Sequence, residues 1–314
     1  MPYVFGPVPS RRLGLSLGID LVPAKTCTYD CLYCQVGKTT SETLKTEPYV
    51  PLQDVIKELE RHLEGANPET ITLAGSGEPT LHSGIGQLIT EIKGLSDIKI
   101  ALLTNGSLLW QENVRERILG ADIILPTLTS AFEATFRAIH RPHSDLRAES
   151  VIKGLKELRR IYRGLLFLEV MLLRGFNDSD REIEGLKRVI NDISPDRVQL
   201  NTVERPPSDP KAQSLDKKRL EEIKNFLGDR VEIVAEAPFK PHRGRYQSVE
   251  GPIMEMTRRR PMRAIDIAQS LDLSLGDVEG IISGLVVKGA LQERQHSREI
   301  YYLKAGGDFI DPGC

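Results

Sequence analysis

The sequence predicts an α/β protein: a part-barrel of about six parallel strand–helix units over residues 1–240, followed by a small winged-helix-like domain over residues 241–314. Three observations predict it. Short apolar runs rich in branched residues alternate with segments of helical period. The alternation repeats six times in the same order, as parallel strands joined by crossovers require. Beyond a proline-rich stretch around Pro238, Pro241 and Pro252 it gives way to closely spaced helices and a strand pair. At 314 residues the chain is long for one core and fits a large domain plus a small one.

The strand candidates are residues 14–21, 70–74, 98–103, 122–125, 165–171 and 197–201, with 231–235 as a further edge strand. Between them, apolar residues recur at helical spacing: Leu52, Val55, Ile56, Leu59 and Leu63 in the first helix, Ile183, Leu186, Val189 and Ile190 in a later one. Pro51 and Asp178 are candidate helix starts. Parallel strands with right-handed helical crossovers curl into a barrel or part-barrel and gather their chemistry at the strand C-termini. In the second domain, helices over 253–259, 262–271 and 275–288 precede strands over 290–295 and 299–303, a winged-helix order. Its third helix carries Asp277 and Glu279, with Lys288 only at its far end. That sign opposes a phosphate-lined groove, so contact with a protein or a lid role fits better than DNA binding.

Composition narrows the class. Lysine plus arginine total 42 against 44 acidic residues, a net charge of -2, so the basic excess that drives non-specific nucleic-acid binding is missing. With 40% hydrophobic and 27% charged residues the chain has an ordinary globular composition. No apolar run of about 18 residues offers a membrane span, and no membrane partner is expected. Ser10-Arg11-Arg12-Leu13 resembles a twin-arginine export signal, but the segment after it meets Asp20 too early for an apolar signal core. The expected location is the cytoplasm.

Three of the four cysteines are crowded into one loop after the first strand candidate: Cys27, Cys31 and Cys34, spaced C-x3-C-x2-C. They are too close to staple long loops. Three thiolates on one short loop can reach three corners of an iron–sulfur cube and leave the fourth iron open. Structural zinc is the alternative at this point; it wants four ligands, and His140, His143 and His242 are far away in sequence. At the end of the second strand candidate lies Gly75-Ser76-Gly77-Glu78-Pro79-Thr80. Its glycines permit close backbone approach; alone, the segment reads as a strand-to-helix turn.

Taken together, the cysteine spacing with Tyr33 before its third member, the residue 75–80 loop and the repeated strand–helix pattern resemble the radical S-adenosylmethionine (radical SAM) superfamily over roughly residues 1–235. The Phe5-Gly6-Pro7-Val8-Pro9-Ser10-Arg11-Arg12-Leu13-Gly14 lead-in is similar to that of a poorly characterised iron–sulfur oxidoreductase branch, distantly related to 4-demethylwyosine synthase. The resemblance implies an oxygen-sensitive enzyme whose 4Fe-4S cluster is held by Cys27, Cys31 and Cys34 and binds S-adenosylmethionine through its open iron. It implies reductive cleavage to methionine and a 5′-deoxyadenosyl radical that takes hydrogen from a substrate, with an external donor such as a flavodoxin or ferredoxin. Gly75, Gly77, Glu78 and Tyr33 are the implied cofactor contacts. Substrates open at this stage are an RNA base, a protein or peptide side chain, and a metabolite, and no residue is assigned a catalytic role. The charge balance gives no support to nucleic acid.

Strand-end position nominates further cofactor contacts: Thr104 and Asn105 after the third strand, Thr127 and Thr129 after the fourth, Glu169 and Met171 on the fifth, and Gln199, Asn201 and Thr202 on the sixth. Thr127, Glu169 and Asn201 are the favoured members, because polar groups in apolar strands need partners. Arg11, Arg12, Arg141, His143 and Arg205 form a basic set near the same rim, suited to solvated charge or to anion capture. Cys314 is expected to be a free thiol. The alternative function is a non-catalytic, metal- or cluster-dependent regulator acting through the winged-helix domain.

Overall fold

The computed structural model describes residues 2–234, 249–296 and 299–306. Its core is one open sheet. Strand β1 (Val4–Ser10) runs antiparallel to β2 (Gly14–Ile19), and a short pair, β3 (Thr26–Cys27) with β4 (Ser41–Glu42), lies in the loop that follows. Helix α1 (Leu52–Gly65), β5 (Thr70–Leu73), α2 (Ile85–Leu95), β6 (Lys99–Thr104), α3 (Glu112–Ile118) and β7 (Ile123–Leu128) continue the alternation. After α4 (Glu133–His140) and α5 (Ala148–Ile161) come β8 (Leu165–Met171), α6 (Asp180–Ile193), β9 (Arg197–Asn201), α7 (Lys217–Leu227) and β10 (Val231–Ile233). The strand order is β1-β2-β5-β6-β7-β8-β9-β10, parallel from β2 to β10.

Every residue of β2 and β5 is buried, as strands covered on both faces must be. Helix α1 turns Val55, Ile56 and Leu59 onto the sheet, where they share one core with Leu17, Ile71 and Leu102. The sequence pattern gives neither the short β3 and β4 nor β1 of the main sheet: Pro7 and Pro9 disqualify β1 as a central strand but not as an edge, which is where it lies. The second helix start is also corrected. Ser179, not Asp178, caps α6, its hydroxyl accepting from the Glu182 amide, while Asp178 accepts from Gly175 in the preceding turn.

A separate apolar cluster, including Ile253, Met256, Ile267, Val278, Ile282 and Leu291, holds together α8 (Glu250–Arg259), α9 (Ala264–Leu271), α10 (Leu275–Val287) and the hairpin of β11 (Leu291–His296) and β12 (Glu299–Lys304). Val8 of β1 packs against this cluster. The Tyr301 hydroxyl donates to the Glu204 carbonyl, and Arg294 reaches the Pro207 carbonyl at 3.5 Å. These contacts seat the C-terminal unit beside the loop that follows β9. His242, Ser297, Arg298 and Cys314 lie outside the described residues. Among the described residues no helix is long and apolar enough to cross a membrane.

Candidate functional site

The C-terminal ends of the parallel strands open into a cavity of about 410 Å³. Cys27, Cys31 and Cys34 line one part of it, on a loop tied down independently of any metal. Leu32 donates to the Ile139 carbonyl at 2.9 Å and accepts from the Asp209 amide at 3.1 Å, while the Ser208 hydroxyl holds the Cys31 carbonyl at 2.8 Å. Tyr29, 1% exposed, packs edge-on against Phe136, and Thr39 ties both the Tyr29 carbonyl and the Asp30 carboxylate at 2.7 Å. Leu32 joins Ile139, Met171, Leu173 and Val203 in a small apolar cluster behind the thiols.

The residue 75–80 loop is stitched to the cysteine loop by backbone. Lys25, in the left-handed region at φ 63, donates to the Ser76 carbonyl at 2.9 Å, and the Glu78 amide donates to Thr26 at 3.1 Å. A Cβ on Gly77 would lie 2.1 Å from that Thr26 carbonyl oxygen, and one on Gly75 would lie 2.2 Å from the Asp20 carboxylate. The glycines therefore permit loop-to-loop contact, in addition to opening backbone to the cavity. Glu78 is 2% exposed and heavily engaged. One carboxylate oxygen accepts from the Thr80 amide, the Thr80 hydroxyl and the Thr104 hydroxyl at 3.0, 2.6 and 2.6 Å; the other accepts from the Asn105 amide at 2.7 Å. Burial pushes its pKa up against these four donors. These bonds make Glu78 a fastening between the end of β6 and the loop after β5, and it also lines the cavity, where the sequence expects an acceptor for an ammonium group.

Asn105, so fixed, donates to the Thr28 hydroxyl at 2.8 Å and approaches the Cys27 sulfur at 3.5 Å. Tyr33 lines the same cavity. Across the sheet, Glu169 accepts from Arg12 at 2.8 Å, Thr127 at 2.7 Å and Asn201 at 3.1 Å, so three strands and the β1–β2 turn meet in one polar knot on the cavity wall. Burial raises the Glu169 pKa, but Arg12 and the two hydrogen bonds outweigh it and hold the group below its ordinary value. A carboxylate with a depressed folded-state pKa adds stability above its unfolded pKa and loses it as the pH falls through the folded value. Glu169→Gln should therefore cost about 1–3 kcal/mol near pH 7. The gap to wild type should close as urea titrations are moved below about pH 4; a cost that persists unchanged there contradicts this account.

Other nominated residues are turned elsewhere. Thr129 bonds the His140 ring at 2.8 Å and Gln199 bonds Glu232 at 2.7 Å, both away from the cavity wall. Arg141 pairs with Asp209 at 2.5 Å, and His143 lies beside Asp145. Only Arg11, Arg12 and Arg205 of the basic set line the cavity, joined there by Met256 and Arg260 from the C-terminal unit. Those two were missed because no local pattern ties α8 to the strand ends.

His140 is far from the cysteines in sequence, yet its Nδ1 lies 3.1 Å from the Cys31 sulfur. Helix α4 ends at His140, and Arg141 in the left-handed region turns the chain back toward the cysteine loop. Burial lowers the His140 pKa to about 3, so the ring is neutral. In the tautomer in which the Thr129 hydroxyl donates to Nε2, the Nδ1 proton points at the sulfur.

The donor set suits an iron–sulfur cluster. The three thiols are partly exposed into the cavity but otherwise enclosed, and burial, with Glu78 next, pushes Cys27 up to about 12. Burial likewise raises Cys31 and Cys34. Thiolates here need a cationic partner, which iron supplies. Among the described residues no three histidine, cysteine or carboxylate side chains close around a single metal ion.

Such a thiol loop, at the open end of a parallel sheet and bound to a glycine-rich turn, defines an iron–sulfur protein of the radical SAM type. The family model described as "Radical SAM superfamily" matches residues 21–185, and the chain belongs to that superfamily, whose cofactors are a 4Fe-4S cluster and S-adenosylmethionine. UPF0026 protein MJ1312 of Methanocaldococcus jannaschii is 33% identical over 97% of this chain and 96% of its own length. A protein named GTPase Obg from Brachyspira hyodysenteriae is 37% identical over 92% of this chain, which spans only 43% of that relative. In fold, the chain resembles a radical SAM methyltransferase from Sphaerobacter thermophilus (TM-score 0.52, 17% identity, 69% of this chain and 65% of that one). It also resembles TYW1 with a lysine-pyruvate adduct bound (TM-score 0.51, 16% identity, 71% and 75%).

Proposed function

We propose that the chain is an enzyme that cleaves S-adenosylmethionine reductively at a 4Fe-4S cluster held by Cys27, Cys31 and Cys34, and so starts hydrogen abstraction from a substrate. The observation that carries this reading is the meeting, on one cavity, of the three thiols with the residue 75–78 loop, fastened together through Lys25, Thr26 and Glu78. When bound, the cluster and S-adenosylmethionine supply the one-electron cleavage of the sulfonium and the radical that follows. The protein supplies position. Gly75, Ser76 and Gly77 bring backbone to the cavity wall, Asn105 and Thr127 bring polar side chains, and Leu103, Leu125 and Val203 line it with apolar ones. An external flavodoxin or ferredoxin would deliver the electron, and a reducing cytoplasm suits three unpaired thiols. Because Met256 and Arg260 line the cavity, the C-terminal unit acts as a lid on it rather than as a DNA reader.

The test is anaerobic reconstitution with iron and sulfide, reduction, and measurement of 5′-deoxyadenosine. Wild type should form it, and the Cys27→Ala, Cys31→Ala, Cys34→Ala triple variant should not; equal yields overturn the proposal. A finer prediction concerns His140. A hydrogen bond to a cluster sulfur raises its reduction potential, so His140→Phe should move the potential of the reconstituted cluster downward in redox-poised EPR. An unchanged potential removes that role.

A further inference from the structure

The connection from β9 to α7, residues 202–216, contains neither helix nor strand, and loops of that length are uncommon without a function. Its two sides are held by different parts of the molecule. We propose that residues 203–209 form a strut through which the C-terminal unit positions the cysteine loop, with Tyr301 as the positioning residue at one end and Ser208 at the other. This deepens the proposed function and rests on it for the cluster those cysteines would carry, though not for the mechanical link itself.

One side of the strut faces the hairpin of β11 and β12. The buried Tyr301 hydroxyl donates to the Glu204 carbonyl, while Arg294 and the His296 ring lie 3.5 Å from the carbonyls of Pro207 and Val203. All three acceptors are backbone groups, so the hairpin fixes the path of the chain rather than one side chain. The other side faces the cysteines. The Ser208 hydroxyl donates to the Cys31 carbonyl at 2.8 Å and reaches the Leu32 carbonyl at 3.0 Å, and the Asp209 amide donates to Leu32 at 3.1 Å. Arg205 donates at 3.0 Å to the side chain of Gln35, the residue after Cys34. The Val203 side chain joins Leu32 in the apolar cluster behind the thiols.

Neighbouring residues thus serve opposite sides: Glu204 takes the hairpin and Arg205 the cysteine loop, Pro207 the hairpin and Ser208 the cysteine loop. In each pair the carbonyl of the first residue and the nitrogen of the second belong to one planar peptide. Fixing that carbonyl therefore fixes where the next side chain starts. Loosening Tyr301 should loosen the hold of Ser208 on Cys31, and by reciprocity loosening Ser208 should loosen the hairpin. Tyr301 and Ser208 bond different carbonyls, so an effect of one substitution at the other end has to travel through the strut.

Hydrogen–deuterium exchange of the metal-free, full-length chain reads both ends. Tyr301→Phe should speed exchange of the amides over residues 30–37 by about two- to tenfold, the range that one net hydrogen bond spans. Ser208→Ala should do the same to the amides of β11 and β12. Val287→Ala, at the 85% exposed end of α10, is the control and should leave residues 30–37 unchanged. Circular dichroism confirms that each variant is folded. After anaerobic reconstitution with iron and sulfide, Tyr301→Phe should shift the EPR signal or the reduction potential of the cluster. Exchange that changes only beside the substituted residue, exchange that passes in one direction alone, or a cluster whose EPR signal and potential both match wild type overturns the proposal. Failure of the wild type to take up a cluster would sink the parent reading instead, and exchange in the metal-free chain would still decide the strut.

Discussion

Replacing Glu78 with glutamine should lower the unfolding free energy of the cofactor-free chain by about 1–3 kcal/mol, and replacing it with leucine by about 3–5 kcal/mol. The argument is a count of donors. Four N–H and O–H groups from Thr80, Thr104 and Asn105 point at a carboxylate that offers only acceptors. An amide in its place keeps one acceptor oxygen and turns an NH2 group toward at least one of those donors, leaving it buried without a partner. Leucine strands all four. The harm spreads, because Asn105 also holds Thr28 and approaches the Cys27 sulfur, so a displaced β6 end loosens the cysteine loop. Urea unfolding of the two variants checks this. A glutamine variant within about 0.5 kcal/mol of wild type would mean that Glu78 faces a ligand rather than its neighbours.

That outcome bears on how far the molecule was legible in its sequence. The parallel strands announce themselves because buried strands must be apolar along their length, as β5 and β2 are. The cysteine loop and the residue 75–80 turn are legible because their members are neighbours in the chain. The strand-end rule then carries Thr104, Asn105, Thr127, Glu169 and Asn201 to the cavity wall, since topology fixes which end of each strand opens there. Roles are less legible than places. Glu78 lies where the pattern puts it, yet its partners are Thr80, two residues on, and Thr104 and Asn105 at the end of the next strand. His140 and Arg260 were beyond reach because the left-handed turn after α4 and the packing of α8 on β1 decide their positions. Arg141 and His143 look like rim residues in sequence and are drawn off it by contacts with Asp209 and the Asp145 neighbourhood. Long-range packing, not local propensity, settles each of these.

A chain stripped of metal by anaerobic chelation should keep its cooperative unfolding transition, within about 1 kcal/mol of the same chain carrying Cys34→Ala, while iron content falls from about four per chain to background in both cases. The two halves of this prediction come from different parts of the site. In the proposed site the thiols bear the iron, so loss of one would leave two ligands on a cube that needs three, and 5′-deoxyadenosine formation should drop by at least about a thousandfold. The loop itself is held by Leu32 against Ile139 and Asp209, by Ser208 on the Cys31 carbonyl, by Thr39 on Tyr29 and Asp30, and by the Thr26 carbonyl on the Glu78 amide, none of which involves sulfur. A structural zinc site behaves in the opposite way, because there the metal supplies the folding energy and chelation unfolds the domain. Circular-dichroism melts of the wild-type and Cys34→Ala chains in chelator therefore separate the two readings. A preorganised loop that awaits its cluster leaves both curves superimposed, whereas collapse of the wild-type transition on chelation would make the cysteines a structural metal staple and remove the basis for an open, reactive iron.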